Sequence, residues 1–101
     1  MGSLVFEFEV GKGLGRRLDE AGRAVARIGD ATQRRDLETD VRYAGTLLVQ
    51  LQGAEKEIRR APDVGAFAAA TEAYVHKLER AEAAVSTVCA RAGTAGVPAA
   101  Q

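Results

Sequence analysis

The sequence predicts a mainly α-helical fold, in which an antiparallel helical hairpin packs with a shorter helix and one short β-strand precedes them. Apolar residues recur at intervals of three and four through most of the 101 residues, as they do along the buried face of a helix. Only two prolines are present, and Pro62 separates the two longest stretches of this pattern. Residues 4–10 instead alternate apolar and charged side chains, which is typical of a strand. We expect a single helical domain over residues 1–92.

The N-terminal strand is predicted for Leu4 to Val10. Phe6, Phe8 and Val10 would lie on one face, and the two glutamates between them on the other. A lone strand leaves its backbone N–H and C=O groups unpaired, and we find no second convincing strand in the sequence. Either the segment is not a strand, or its partner lies in another chain. We favour pairing with another chain.

A glycine-rich connector and a first helix are predicted to follow. We interpret Gly11 to Gly15 as a flexible hinge, because the segment lacks the glycine and Gly-Lys-Ser/Thr spacings of phosphate-binding loops. The helix is predicted over about residues 14–28 and ends at Gly29. Its apolar residues are spaced four, three, four and three apart: Leu14, Leu18, Ala21, Val25 and Ile28.

Two long helices form the predicted hairpin, over about residues 31–60 and 63–91. Asp30 can cap the first, with Gln33 three residues later as in a capping box. Pro62 ends that helix and Asp63 can cap the next. Their predicted seams are Leu37, Val41, Ala44, Leu48, Leu51, Glu55 and Ile58, then Val64, Phe67, Thr71, Tyr74, Leu78, Ala81, Val85 and Val88. Residues 93–101 are predicted to be a disordered tail.

The packing of these helices has two interpretations. A seven-residue seam spacing is typical of helices that cross at about 20°, so a self-contained three-helix bundle is one solution. The other is an extended hairpin whose seam needs further subunits to cover it. The core is expected to be thin, because much of the apolar content is alanine, 5% of residues are aromatic and no tryptophan occurs. Thin cores are often completed by a partner.

Composition excludes several classes of protein. Fourteen basic and fourteen acidic residues give a net charge of zero, which argues against a dedicated nucleic-acid binder. The lone cysteine cannot form an internal disulfide, so nothing indicates a secreted scaffold. We recognise no secretory signal peptide and no segment long enough to span a membrane. These observations favour a cytoplasmic location.

No catalytic, cofactor-binding or metal-binding site is predicted. Glu72, His76 and Glu79 share one helix face, but di-iron bundles use Glu-x-x-His on two helices and the chain has one histidine. A solvated charged face is favoured over a metal site there. Cys89 has no histidine or basic residue at helical spacing to activate it, so we interpret it as a small core residue.

Charge is unevenly distributed along the chain. Residues 11–35 hold seven basic and three acidic groups, whereas residues 36–58 hold two basic and five acidic groups. A solvated face explains each block separately. The contrast would also suit complementary contacts between neighbouring copies in a ring.

Two short motifs carry a family resemblance. A strand leading into Lys12-Gly13-Leu14, followed after a long helix by Ala61-Pro62-Asp63-Val64-Gly65-Ala66-Phe67, resembles the tail-completion (head-to-tail joining) proteins of long-tailed bacteriophages. Val64 stands where the family usually has threonine, and Phe67 where it usually has leucine. Members usually continue into a sheet after this turn, whereas residues 68–90 here predict a helix. The resemblance implies a non-enzymatic ring subunit at the neck or tail end of a virion.

The predicted partners are other protein subunits and other copies of the chain, which could assemble into a ring. No specific nucleic acid, membrane or cofactor is predicted. The predicted interface residues are Phe6, Phe8, Val10, Leu48, Leu51, Phe67, Tyr74 and Leu78. Two alternatives remain. One is a helical-hairpin partner of type VII secretion, although the Trp-x-Gly turn is missing and Leu78 stands where the Tyr-x-x-x-Asp/Glu signal needs an acid. The other is a helical regulator, such as an antitoxin or inhibitor.

Overall fold

Three α-helices make up the chain in a computed structural model, which describes the backbone of residues 2–95 and the side chains of residues 8–93. They are α1, Gly2–Ala26, α2, Ala31–Arg60, and α3, Val64–Ala95. Each helix packs against both others, and the molecule measures 55 × 22 × 16 Å. The mainly helical fold is therefore confirmed, and α1 covers the seam of the α2–α3 hairpin.

Two aspartates fix where α2 and α3 begin. Asp30 has extended backbone angles (φ −72°, ψ 118°), and its Oδ1 accepts a hydrogen bond of 2.8 Å from the backbone N–H of Gln33. Asp63 Oδ1 accepts one of the same length from the N–H of Ala66. Each cap satisfies a backbone donor that has no partner within the helix, which is worth about 1 kcal/mol.

The core runs along the bundle axis and all three helices contribute to it. Its larger cluster includes Leu14 and Leu18 of α1, and its largest fully buried side chain is Tyr74 of α3, which is 1% exposed. A smaller cluster lies at the end where α1 turns into α2: Val25, Ile28, Leu37 and Ala92. There Arg34 Nη1 also donates a hydrogen bond of 2.9 Å to the carbonyl oxygen of Ile28.

The structure corrects the prediction of an N-terminal strand followed by a glycine hinge. Residues 2–26 form one continuous helix, and no strand occurs anywhere in residues 2–95. The physical reason lies in the spacing Phe8, Gly11, Leu14, which extends the helical seam toward the N-terminus. A glycine contributes no side chain to the pattern, so the seam position at residue 11 was not visible in the sequence.

The remaining boundaries differ less. α3 continues to Ala95, beyond the predicted end at residue 91, and residues 96–101 of the predicted tail lie outside the described residues. No helix in the described part has the length and apolar character needed to cross a membrane. With residues 4–10 in α1, strand pairing with another chain loses its structural basis.

Candidate functional site

The largest concave feature is a surface groove between α1 and α2, called here the α1–α2 groove. It is lined by residues 8–26 of α1 and 41–59 of α2, which run antiparallel. Two adjoining stretches, with volumes of about 720 and 680 Å³, share Asp19 and so follow one another along the helices. The groove is open to solvent along its length and is the candidate functional site.

The floor of the groove is apolar. Leu51 and Tyr74 lie beneath it, 4% and 1% exposed, while Phe8 and Leu48 are half-buried at its surface. The Phe8 and Tyr74 rings meet edge to face, with centroids 5.2 Å apart and planes at 84°. Such an aromatic pair adds about 0.5–1.5 kcal/mol beyond the area that it buries. Phe8 therefore packs against the core of its own chain.

Glycines leave parts of the groove wall without side chains. A Cβ at Gly11 would lie 3.3 Å from both Leu51 Cδ2 and the Tyr74 hydroxyl, so a side chain there would crowd the floor. A Cβ at Gly15 would instead lie in open space, with no neighbouring heavy atom within 4 Å. Gly22 follows seven residues later on the same wall, where a Cβ would meet only Val41 Cγ1, at 3.8 Å.

The walls are cationic, although the whole chain has no net charge. Six basic side chains line the groove, namely Lys12, Arg16, Arg23, Arg42, Lys56 and Arg59, against the two acids Asp19 and Glu55. Arg59 pairs with Glu55 at 2.8 Å, and Lys12 pairs with Glu9 at 3.4 Å. Within the described residues the other four basic groups form no ion pair, so the groove carries an excess of positive charge.

Arg59 has a second contact at the end of the groove. Its guanidinium carbon lies 5.5 Å from the centroid of the Phe8 ring, which is a cation–π distance. The same side chain thus links α2 to the N-terminal half of α1, through Phe8, and to Glu55 on its own helix.

The exposed side of α3 has a different character. Residues 72 and 74 lie roughly 200° apart around a helix, so Glu72 is directed away from the groove floor that Tyr74 forms. The outer face of α3 is defined by exposed residues that share this direction: Ala68, Ala69, Glu72, His76 and Glu79. His76 Nε2 lies 3.9 Å from a Glu72 carboxylate oxygen. The face therefore combines small alanine side chains with two acidic ones.

A third feature lies between α2 and α3, where a depression of about 470 Å³ is lined by Tyr43, Ala84 and Thr87 among others. Arg91 and Asp40 form an ion pair across it, joining the two helices. Tyr43 is 56% exposed. The ion pair therefore joins the two walls of this depression.

The predicted interface residues are distributed between core and groove. Leu51, Tyr74 and Leu78 are buried, so they serve the core of this chain and present little surface to a partner. Phe8, Val10 and Leu48 are partly buried against that core, and Phe67 is 39% exposed near the start of α3. The side chain of Phe6 lies outside the described residues. Among the members of this set whose side chains the structure describes, Phe8, Leu48, Leu51 and Tyr74 line the groove.

The basic groove residues are not predicted as a group from the sequence. Arg16 and Arg23 each follow a glycine, and these Gly-Arg pairs are seven residues apart. That repeat places both arginines on one side of a helix, and it was the signal that could have found the cationic wall. It was hidden because Gly11 to Gly15 had been interpreted as a hinge.

Neither of the chain's two reactive side-chain types is assembled into a catalytic pair. Cys89 Sγ lies 3.9 Å from the backbone carbonyl oxygen of Arg17 and is half-buried. His76 is on the same helix, thirteen residues away, which corresponds to roughly 20 Å. Among the described residues no group of three His, Cys, Asp or Glu side chains is placed to hold a metal ion.

In comparisons with known proteins, no protein-family model matches the chain, and no curated protein or solved structure is significantly similar to it. The groove and the outer face of α3 are therefore the features that indicate what the chain does.

Proposed function

We propose that this chain is a non-enzymatic assembly subunit that acts through protein–protein contacts, with other copies of itself and with other subunits. The observation that carries the proposal is the α1–α2 groove, whose cationic walls and half-buried Phe8 and Leu48 remain accessible although the three helices already bury a core. An open apolar groove rimmed by charge is typical of a surface that receives another protein.

Exposed apolar side chains elsewhere support the same conclusion. Val49 at the groove edge is 66% exposed, and Val64 at the start of α3 is 85% exposed. Single exposed apolar residues are common on any protein. Here Val49 continues the groove floor outward, which extends the apolar area available to a partner.

The narrower hypothesis of a ring subunit at the neck or tail end of a phage particle depends on the resemblance and stays a prediction. Its strand component is lost, because residues 4–10 are helical. The Ala61–Phe67 motif remains, and its physical role is that of a helix stop followed by the Asp63 cap of α3.

Light scattering coupled to gel filtration tests the proposal directly. We expect the mass to rise above the 10.7 kDa of one chain as the protein concentration increases through the micromolar range. A mass that stays at one chain up to millimolar concentration, together with no cross-linked species, would contradict self-assembly. Gel filtration of an unrelated helical bundle of equal length serves as the shape control, because a rod elutes early.

A further inference from the structure

The α1–α2 groove and the outer face of α3 have complementary charge. The groove presents six basic and two acidic side chains, whereas the outer face of α3 carries Glu72 and Glu79, with exposed Arg80 at one edge and exposed Glu82 at the other. A chain without net charge therefore has one basic and one acidic surface. Surfaces of opposite sign on one molecule favour association of copies in a fixed orientation.

The spacing of the charges also matches. Arg16 and Arg23 are seven residues apart on the groove wall, and Glu72 and Glu79 are seven residues apart on α3. Seven residues advance about 10 Å along a helix and return to nearly the same direction. Two helices that pack nearly parallel or antiparallel would therefore bring both glutamates opposite both arginines in a single register.

The shapes are compatible with close approach. Gly15 and Gly22 directly precede the two arginines, so the groove wall lacks side chains at those points. On α3, the small side chains of Ala68 and Ala69 lie one turn before Glu72, and His76 lies between the two glutamates. Small residues on both helices allow a short distance between the helix axes, which brings the long charged side chains at the edges within reach of each other.

We propose that the outer face of α3 of one copy docks into the α1–α2 groove of a second copy, with Glu72 and Glu79 paired to Arg16 and Arg23. This inference rests on the proposed function and specifies its interface. The two surfaces lie on opposite sides of the bundle, since Tyr74 forms the groove floor and Glu72 points away from it. Contacts of this head-to-tail kind build a ring if the rotation closes and a filament if it does not.

Charge reversal tests the pairing. In one variant Arg16→Glu is combined with Arg23→Glu, and in another Glu72→Arg is combined with Glu79→Arg. We expect either pair of changes to raise the dissociation constant for self-association at least about tenfold, because attraction becomes repulsion at two sites. A matched control combines Arg17→Glu with Arg35→Glu, which makes the same charge change at exposed positions that do not line the groove. That control should associate like the native chain.

Restoration of assembly separates pairing from damage. A chain that carries all four reversals should associate again, and so should an equimolar mixture of the two reversed variants. Circular dichroism on each variant checks that the helices are intact. Native chains that associate while both reversals have no effect would overturn this interface and leave the proposed function standing. Reversals that disrupt assembly without any restoration would also overturn it. A native chain that never associates with itself would overturn this interface and the self-assembly part of the proposed function, and would leave binding to other subunits standing.

Discussion

Glycine residues within α1 differ in what their missing side chains allow. Gly11 faces the packed floor of the groove, whereas Gly13 has no heavy atom within 4 Å of the point where a Cβ would stand. Both residues are helical, and glycine in a helix interior is less favourable than alanine by up to about 1 kcal/mol. The two positions therefore offer a matched pair for testing whether residues 11–15 form a helix or a hinge.

We predict that Gly13→Ala raises the free energy of unfolding by about 0.5–1 kcal/mol, because alanine gains helix propensity and meets nothing. Gly11→Ala should give less than this or be destabilising, since Leu51 or Tyr74 must shift by a few tenths of an ångström to accept the methyl group. Urea unfolding followed by circular dichroism measures both. Equal effects of the two changes, or no gain at Gly13, would contradict a packed helix in this segment.

At the scale of the element, the N-terminal half of α1 is held against the other two helices by a few contacts. Phe8 touches Tyr74 on α3 and lies beside Arg59 on α2, so one side chain links all three helices. If residues 4–10 formed a strand paired to another chain, Phe8→Asp would abolish assembly and leave the helices folded. The helical position predicts instead that Phe8 contributes to the stability of the monomer.

We predict that Phe8→Ala lowers the free energy of unfolding by about 1–3 kcal/mol, which is less than for a fully buried phenylalanine because the ring is half-exposed. The charge introduced by Phe8→Asp should be more damaging still. Glu9→Gln is the control, since its ion pair with Lys12 is exposed and contributes little. Chemical unfolding at low protein concentration isolates the monomer. Unchanged stability in Phe8→Ala would indicate that the ring does not pack as observed.

The sequence predicted the starts of α2 and α3 well because those boundaries depend on local chemistry. Asp30 and Asp63 act within three residues of themselves, and Pro62 cannot continue a helix in any context. The N-terminal half of α1 has no such local signal. Its seam passes through Gly11, and the alternation of Phe8 and Val10 with glutamate is equally consistent with one edge of a helix.

The groove could not be predicted from periodicity. Its floor and walls come from all three helices, so it depends on which flank of α2 faces α1 after the seams are buried. The seam pattern identifies Leu51 and Tyr74 as apolar positions without deciding whether a neighbour in the same chain or another chain covers them. The structure shows that the chain itself covers them, which moves the candidate interface to the exposed arginines beside the floor.

At the scale of the whole molecule, association and folding are thermodynamically linked if copies bind only in the folded state. The bundle is a rod with a narrow core and a long groove, so a docked copy would shield apolar side chains that the monomer leaves partly or largely exposed, namely Phe8, Leu48 and Val49. At a concentration 100 times the dissociation constant, such binding adds about 2.7 kcal/mol to stability. For a domain of about 100 residues, 1 kcal/mol shifts the melting temperature by about 4–8 °C.

We therefore predict that the melting temperature of the native chain rises by on the order of ten degrees as its concentration increases from below the dissociation constant to about 100 times that constant. Calorimetry at several concentrations measures the rise. The combined Arg16→Glu and Arg23→Glu variant should show a much smaller rise, because its association is at least about tenfold weaker and both side chains are exposed in the monomer. Added salt should reduce the dependence in the native chain, since the pairing involves exposed charges. A constant melting temperature in the native chain would exclude stabilising self-association over the concentrations examined, whereas a rise shared equally by the variant would place the contact on another surface.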